Sequence, residues 1–311
     1  MKKKSIVLIL VLILIATLPL QAFARRPNSD PLYYLNMGDS IAAGMSAYPG
    51  EDYFEYYSEY LSGFGVEKVP EWYCPDWDWF LGWYKADGKY EDGNIAMPGM
   101  TTGCMLGMLA FVEPAQEMVK DADIITISIG GNNVLQPMIG AMMEVYGAVF
   151  NTSIESVEEL LQYIEWGGED TWDMIAHEFI AMMMPRDPEC PLWQGVAQFN
   201  REWPEILGMI HSLNPEAHVI ALSIYNPVSS SESPELYMLM EEMIHSMNLT
   251  MRRHQSNRVS VANVHHSFRR NDDAVNFSVE WFPYLDPHPT NYGHQLIGEE
   301  LMRVRNPRAF R

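Results

Sequence analysis

The sequence predicts a three-layer α/β/α fold: a central parallel sheet with helices on both faces. Three observations predict it. Four short apolar runs have the length of strands buried on both faces. Stretches of helical periodicity separate them, as the crossovers between parallel strands require. Polar clusters follow these runs or sit just before the last helix, where open α/β sheets gather their sites.

Taken in order, residues 32–37 (LYYLNM) read as a buried strand running into Gly38-Asp39-Ser40. Residues 123–129 (DIITISI) form the second strand and end in Gly130-Gly131. Residues 217–225 (AHVIALSIY) form the third, ending in Asn226-Pro227, and residues 259–264 (VSVANV) the fourth. Helical patterns fall at 104–119, 134–150, 153–166, 170–184, 192–213 and 233–255, with one more after Asn291. No repeat or composition break marks a second domain, so residues 25–311 are expected to form one domain. Two segments read as insertions on that frame. Residues 48–92 carry 15 of the 37 aromatics, including Trp72, Trp77, Trp79 and Trp83. Residues 134–195 carry methionine-rich helices, with Met142-Met143 and Met182-Met183-Met184. Core packing explains both, as does a substrate-facing wall: aromatics suit sugar rings and flexible methionines suit acyl chains.

The N-terminus reads as an export signal. Lys2-Lys3-Lys4 precede an apolar run at 6–18, too short for a membrane span of about 20 residues, and Ala22-Phe23-Ala24 supplies a small-x-small cleavage pattern. Cleavage is expected after Ala24, giving a secreted or extracytoplasmic protein with no stable membrane insertion. Export permits disulfides, but Cys74, Cys104 and Cys190 allow three pairings and leave one thiol over. No Cys/His spacing points to zinc. The chain carries 41 Asp+Glu against 20 Lys+Arg, a net charge of -21. Losing the signal's lysines makes it more negative. That balance excludes a general nucleic-acid binder and electrostatic adhesion to anionic lipid. The stretch 248–311 is nonetheless net positive, with 9 basic and 6 acidic residues.

Four clusters carry chemistry. In Gly38-Asp39-Ser40 a serine just past a strand presents its hydroxyl and its own N–H to solvent, unless it merely caps a helix. In the second, residues 94–102 (NIAMPGMTT), Gly99 lets backbone approach a developing oxyanion, and Thr101 or Thr102 caps the next helix. In Gly130-Gly131-Asn132-Asn133 an asparagine amide follows a strand and two glycines. In Asp286-Pro287-His288-Pro289 the prolines stiffen a loop that sets a carboxylate beside an imidazole. Such a histidine takes a serine proton while the carboxylate fixes its tautomer.

Together, in this order, the clusters NMGDSIAAGM, NIAMPGMTT, ITISIGGNNV and DPHPTNYGH resemble four blocks of the SGNH/GDSL hydrolase family, secreted bacterial esterases and lipases among them. The resemblance runs from about Tyr33 to about Met302. It implies the flavodoxin-like version of the fold, with Ser40 as nucleophile, His288 as general base and Asp286 as the group orienting His288. The oxyanion hole it implies comprises the Ser40 N–H, the Gly99 N–H and the Asn132 side chain. Two departures stand out. The family often has Asp three residues before His, where this chain has Leu285, so Asp286 takes the role from two before. Asn133 replaces an Asp common at the end of the third block and is expected to support the loop. The G-x-S-x-G elbow of α/β-hydrolases is absent. His265, His266 and His294 lack the neighbours a metal site needs.

The expected activity is therefore cleavage of carboxylic esters, short-chain or lipid, through a Ser-His-Asp acyl-enzyme, with no metal and no cofactor. The expected partner is a small ester, a lipid or an acylated glycan, not nucleic acid. Carbohydrate O-deacetylation and acyl transfer are alternatives on the same site. A non-catalytic glycan-binding surface protein is the alternative from another class.

Overall fold

The computed structural model describes residues 31–70, 93–167, 189–231, 234–276 and 286–304. The export signal, Cys74, the four tryptophans between 72 and 83, the helix expected at 170–184, and Leu285 lie outside them.

Five strands form one parallel sheet in the order β2-β1-β3-β4-β5. They are β1 (Leu32–Gly38), β2 (Val66–Lys68), β3 (Ile124–Ser128), β4 (His218–Leu222) and β5 (Val259–Ala262). This is the flavodoxin-like doubly wound order, whose direction of winding reverses between β1 and β3. The alternation of the strands explains why both faces are covered. Leu35 and Met37 of β1, Ile125 and Ile127 of β3, and Val219 and Ala221 of β4 point into one core. Tyr34, Ile124, Ile220 and Leu222, one residue out of step, point into the other.

The first core is covered by α2 (Thr102–Phe111), α3 (Glu113–Asp121), α4 (Gly131–Phe150), α5 (Pro191–Leu213) and α6 (Pro234–Arg253). The second is covered by α1 (Tyr53–Ser62), α7 (Val264–Phe268) and α8 (Asn291–Val304). Residues 157–167 form a further helical stretch.

The structure amends several expectations. The pattern at 104–119 is two helices, not one. Pro114 lacks an N–H and cannot continue a helix from residue 110, so the chain breaks at the extended Val112 and restarts with Pro114 in the first turn. The third strand ends at Leu222, three residues early, freeing 223–227 for a loop. Val264, taken as the end of the last strand, starts α7. Part of the segment 48–92 is integral to the fold rather than inserted on it. β2 pairs with β1, and α1 buries Tyr53, Phe54, Tyr57 and Leu61 against the sheet.

Candidate active site

The site lies at the C-terminal ends of β1 and β3, at the switch point of the sheet. Gly38 and Ser128 are register partners there. Gly38 has φ +139, and a Cβ on it would stand 1.9 Å from the Ser128 carbonyl oxygen. Only glycine permits that approach. The chain then turns sharply: the Asp39 N–H donates to the Ser128 carbonyl (2.9 Å), and the Ala43 N–H to the Asp39 carbonyl (3.0 Å). Ser40 sits at the apex of the turn.

Two asparagines hold this turn from below. Asn36, fully buried on β1, donates to the Ala42 carbonyl at 2.8 Å. Its oxygen accepts from Tyr53 Oη (2.8 Å) and Thr126 Oγ1 (2.8 Å). Asn94 donates to the same Ala42 carbonyl at 3.2 Å. Asn36 was missed in the sequence, although a lone amide inside an apolar strand is a signal of a buried hydrogen-bonding role.

His288 reaches Ser40 from the loop before α8. Its Nε2 lies 2.8 Å from Ser40 Oγ. Its Nδ1 bonds Asp286 Oδ1 in a short contact, and its backbone N–H donates to the same oxygen at 3.1 Å. Asp286 Oδ2 accepts from Ser46 Oγ at 2.8 Å. Burial alone raises the Asp286 carboxyl, but the bonds from the His288 ring, Ser46 and the His288 N–H outweigh it and hold it below the usual carboxylate range. The loop is braced by Tyr225, whose hydroxyl donates to the Pro287 carbonyl at 2.6 Å and whose ring stacks on Phe268. The structure thus brings Ser40, His288 and Asp286 into one chain of hydrogen bonds, a geometry suited to moving a proton from hydroxyl to imidazole.

The predicted oxyanion donors are arranged as follows. Neither the Ser40 N–H nor the Gly99 N–H has a hydrogen-bond partner among the described residues. Asn132, buried on the first turn of α4, gives one amide hydrogen to the Met100 carbonyl (3.1 Å) and has a second to spare. Ser40 and Asn132 line the same cavity. Gly99 is exposed, at φ +78, in the turn before α2. It does not line that cavity; its carbonyl is tied to α4 by Gln136 Nε2 at 2.8 Å. Thr101 caps α2, accepting from the Cys104 N–H. Asn133 clamps the neighbouring Thr102, accepting from its N–H (3.1 Å) and donating to its Oγ1 (2.8 Å).

His265, His266 and His294 have structural partners. His294 is fully buried, stacked on Tyr53. Its Nε2 lies 3.1 Å from the Met45 carbonyl and its Nδ1 accepts from the Tyr53 N–H. Burial pushes its pKa down, so it stays neutral and pins α8 to the serine turn. His265 pairs with Glu241 (3.0 Å) and His266 with Arg270. No group of three metal-ligating side chains occurs among the described residues. Cys104 and Cys190 are free thiols.

Asp39 is the electrostatic oddity of the site. It is buried beside Ser40, and burial pushes its carboxyl up to about 6, against the bonds it accepts from Ser128 and the Ile41 N–H. A folded pKa above the ordinary 3.8 means that the folded state holds this proton more tightly than the unfolded one. The penalty for ionising Asp39 is therefore absent below pH 3.8, grows as pH rises, and is complete above about 6. Asp39→Asn removes it. The unfolding free energy of the variant relative to wild type is expected to rise by about 2 kcal/mol between pH 4 and pH 7. Urea unfolding across that range measures the difference. A flat difference would mean that Asp39 ionises in the folded protein as it does in the open chain.

A family model described as GDSL-like Lipase/Acylhydrolase matches residues 34–301. No curated protein matches significantly. Among solved structures, the lipase Lip_vut3 from a goat rumen metagenome is similar with a TM-score of 0.50 at 19% identity, covering 90% of this chain and 97% of that one. An extracellular lipase from Streptomyces rimosus gives 0.49 at 14% identity, covering 88% and 100%. An acetyl xylan esterase from Geobacillus stearothermophilus gives 0.43 at 14% identity, covering 88% and 93%.

Proposed function

The chain belongs to the GDSL-like lipase/acylhydrolase family and is a carboxylic ester hydrolase, and on that premise we propose that it is an exported enzyme working through an acyl-enzyme on Ser40. The 2.8 Å contact between Ser40 Oγ and His288 Nε2 is the observation that carries this reading. His288 takes the Ser40 proton as Oγ attacks the ester carbonyl. The oxyanion accepts from the Ser40 N–H and the Asn132 amide, both on the cavity wall, and the unbonded Gly99 N–H in the turn outside that wall is the third donor the family resemblance implies. His288 then gives its proton to the departing alkoxide, and the alcohol leaves an acyl-Ser40 ester. Water attacks that ester, His288 takes the water's proton, and the acid departs as Ser40 recovers it. Asp286 holds the imidazole with Nδ1 protonated, so that Nε2 is free to accept.

Labelling by a fluorophosphonate tests the assignment: wild type is expected to label at Ser40 and the Ser40→Ala variant not at all. Labelling retained in the variant refutes it. Export rests on the Lys2–Lys4 region, the apolar run and Ala22-Phe23-Ala24. N-terminal sequencing of the protein recovered outside the cell is expected to begin at Arg25, and an N-terminus still carrying residues 1–24 would end that part of the reading.

A further inference from the structure

We propose that the cavity behind Ser40 is an acyl-chain site that makes the enzyme selective for straight-chain acyl esters of medium length over acetates. The proposal rests on the ester-hydrolase reading and adds the substrate class. The cavity has a volume of about 530 Å³, within the range of small-molecule sites, about 300–1,000 Å³. It begins at Ser40, His288 and Asn132 and continues between α4, the helical stretch 157–167 and α6.

Its walls follow from helical spacing. Val134, Met138 and Met142 recur every fourth residue and form one face of α4. Met240, Ile244 and Met247, four and three residues apart, form one face of α6, and Leu160 and Ile164 close the third side. From Val134 to Met142 the α4 wall is about 12 Å long at 1.5 Å per residue, room for roughly ten chain carbons. Among the described residues, the polar side chains on the wall besides Ser40, Asn132, Asp286 and His288 are Asp39, Ser128, Ser223 and Tyr225, and each already has a protein partner. Ser128 Oγ donates to Asp39, and Ser223 Oγ accepts the His265 N–H. A sugar in this cavity would leave its hydroxyls largely without partners. A hydrocarbon chain needs none, and unbranched methionines adapt to its shape.

The geometry also says which half of the ester enters. His288 must protonate the leaving alcohol, so the alcohol lies on the His288–Asp286 side. That side is the open one, with the Asp286 side chain 32% exposed. The acyl chain takes the enclosed side along α4.

The test is a length profile on the full-length wild-type protein, using p-nitrophenyl esters from acetate to palmitate beside acetates of alcohols of matching length. Each buried methylene is worth about fourfold in kcat/KM (about 0.8 kcal/mol). The expected profile climbs at about that rate with acyl length, peaks at roughly eight to twelve carbons, the span the α4 wall allows, and stays flat with alcohol length. Met142→Trp and Ile164→Trp, which fill the far end, are expected to shift the peak to shorter chains. Their readout is the ratio of decanoate to butyrate kcat/KM, expected to fall below the wild-type ratio. If neither variant folds, the wild-type profile alone decides. A maximum at acetate, or a climb with alcohol length instead, overturns the proposal while Ser40 still labels. Absence of labelling in wild type overturns the hydrolase reading beneath it as well.

Discussion

Replacing Ser40 with alanine is expected to lower kcat toward a p-nitrophenyl ester by about 10⁴- to 10⁶-fold, the scale seen when a serine nucleophile is deleted from such a constellation. Stability should barely move. The turn that carries Ser40 is held by backbone bonds from Asp39 to Ser128 and from Ala43 to Asp39, and by Asn36 and Asn94 on the Ala42 carbonyl. The Ser40 hydroxyl contributes to none of these. Its hydrogen bond is the one to His288. The expected pattern is thus an unfolding midpoint close to wild type with activity at background. The residue left should reflect binding and the oxyanion donors alone. A variant within tenfold of wild type would move the nucleophile elsewhere. A variant that lost both activity and its cooperative transition would instead make Ser40 a fold residue.

Much of this was legible before the structure, for identifiable reasons. β1, β3 and β4 are apolar at every position but one or two, because they are buried on both faces, so each stands out as a run. The glycine-led clusters stand out because Gly38 and Gly130 answer local backbone demands, with φ +139 and +109. What escaped detection depends on non-local pairing. β2 is a three-residue edge strand with no period of its own, visible only as the partner of β1. α1 has the right spacing in Tyr53, Phe54, Tyr57 and Leu61, but the aromatic density of 48–92 reads as an insertion rather than as an element packed on the sheet. Tyr225 looked like the last residue of a strand. Its use, bracing Pro287 across 62 positions of sequence, follows from β4 ending early. The cavity is the extreme case. Its walls come from three segments scattered between residues 134 and 247, so methionine content hinted at it and only the assembled helices define it.

Asp286 provides the second large effect, and its geometry makes two substitutions differ in a way that tests its role. Asp286→Ala removes the partner of His288 Nδ1 and of Ser46 Oγ together. The imidazole loses both its orientation and the counter-charge for the cation formed in the reaction, and kcat is expected to fall by about 10³- to 10⁴-fold. Asp286→Asn should be milder. The His288 backbone N–H donates to Oδ1, which selects the amide rotamer with its oxygen toward His288. The amide nitrogen then faces Ser46, whose hydroxyl can turn to accept. The tautomer of His288 is kept, and only the negative charge is lost. A fall of about 10- to 100-fold is expected, the difference between a charged and a neutral acceptor. Steady-state kinetics of the two variants measure the gap. Equal losses would mean that the amide nitrogen turns toward Nδ1 and imposes the wrong tautomer. An alanine variant within tenfold of wild type would remove Asp286 from the proton path, leaving His288 held by the Tyr225–Pro287 brace and by Asn276 on its carbonyl.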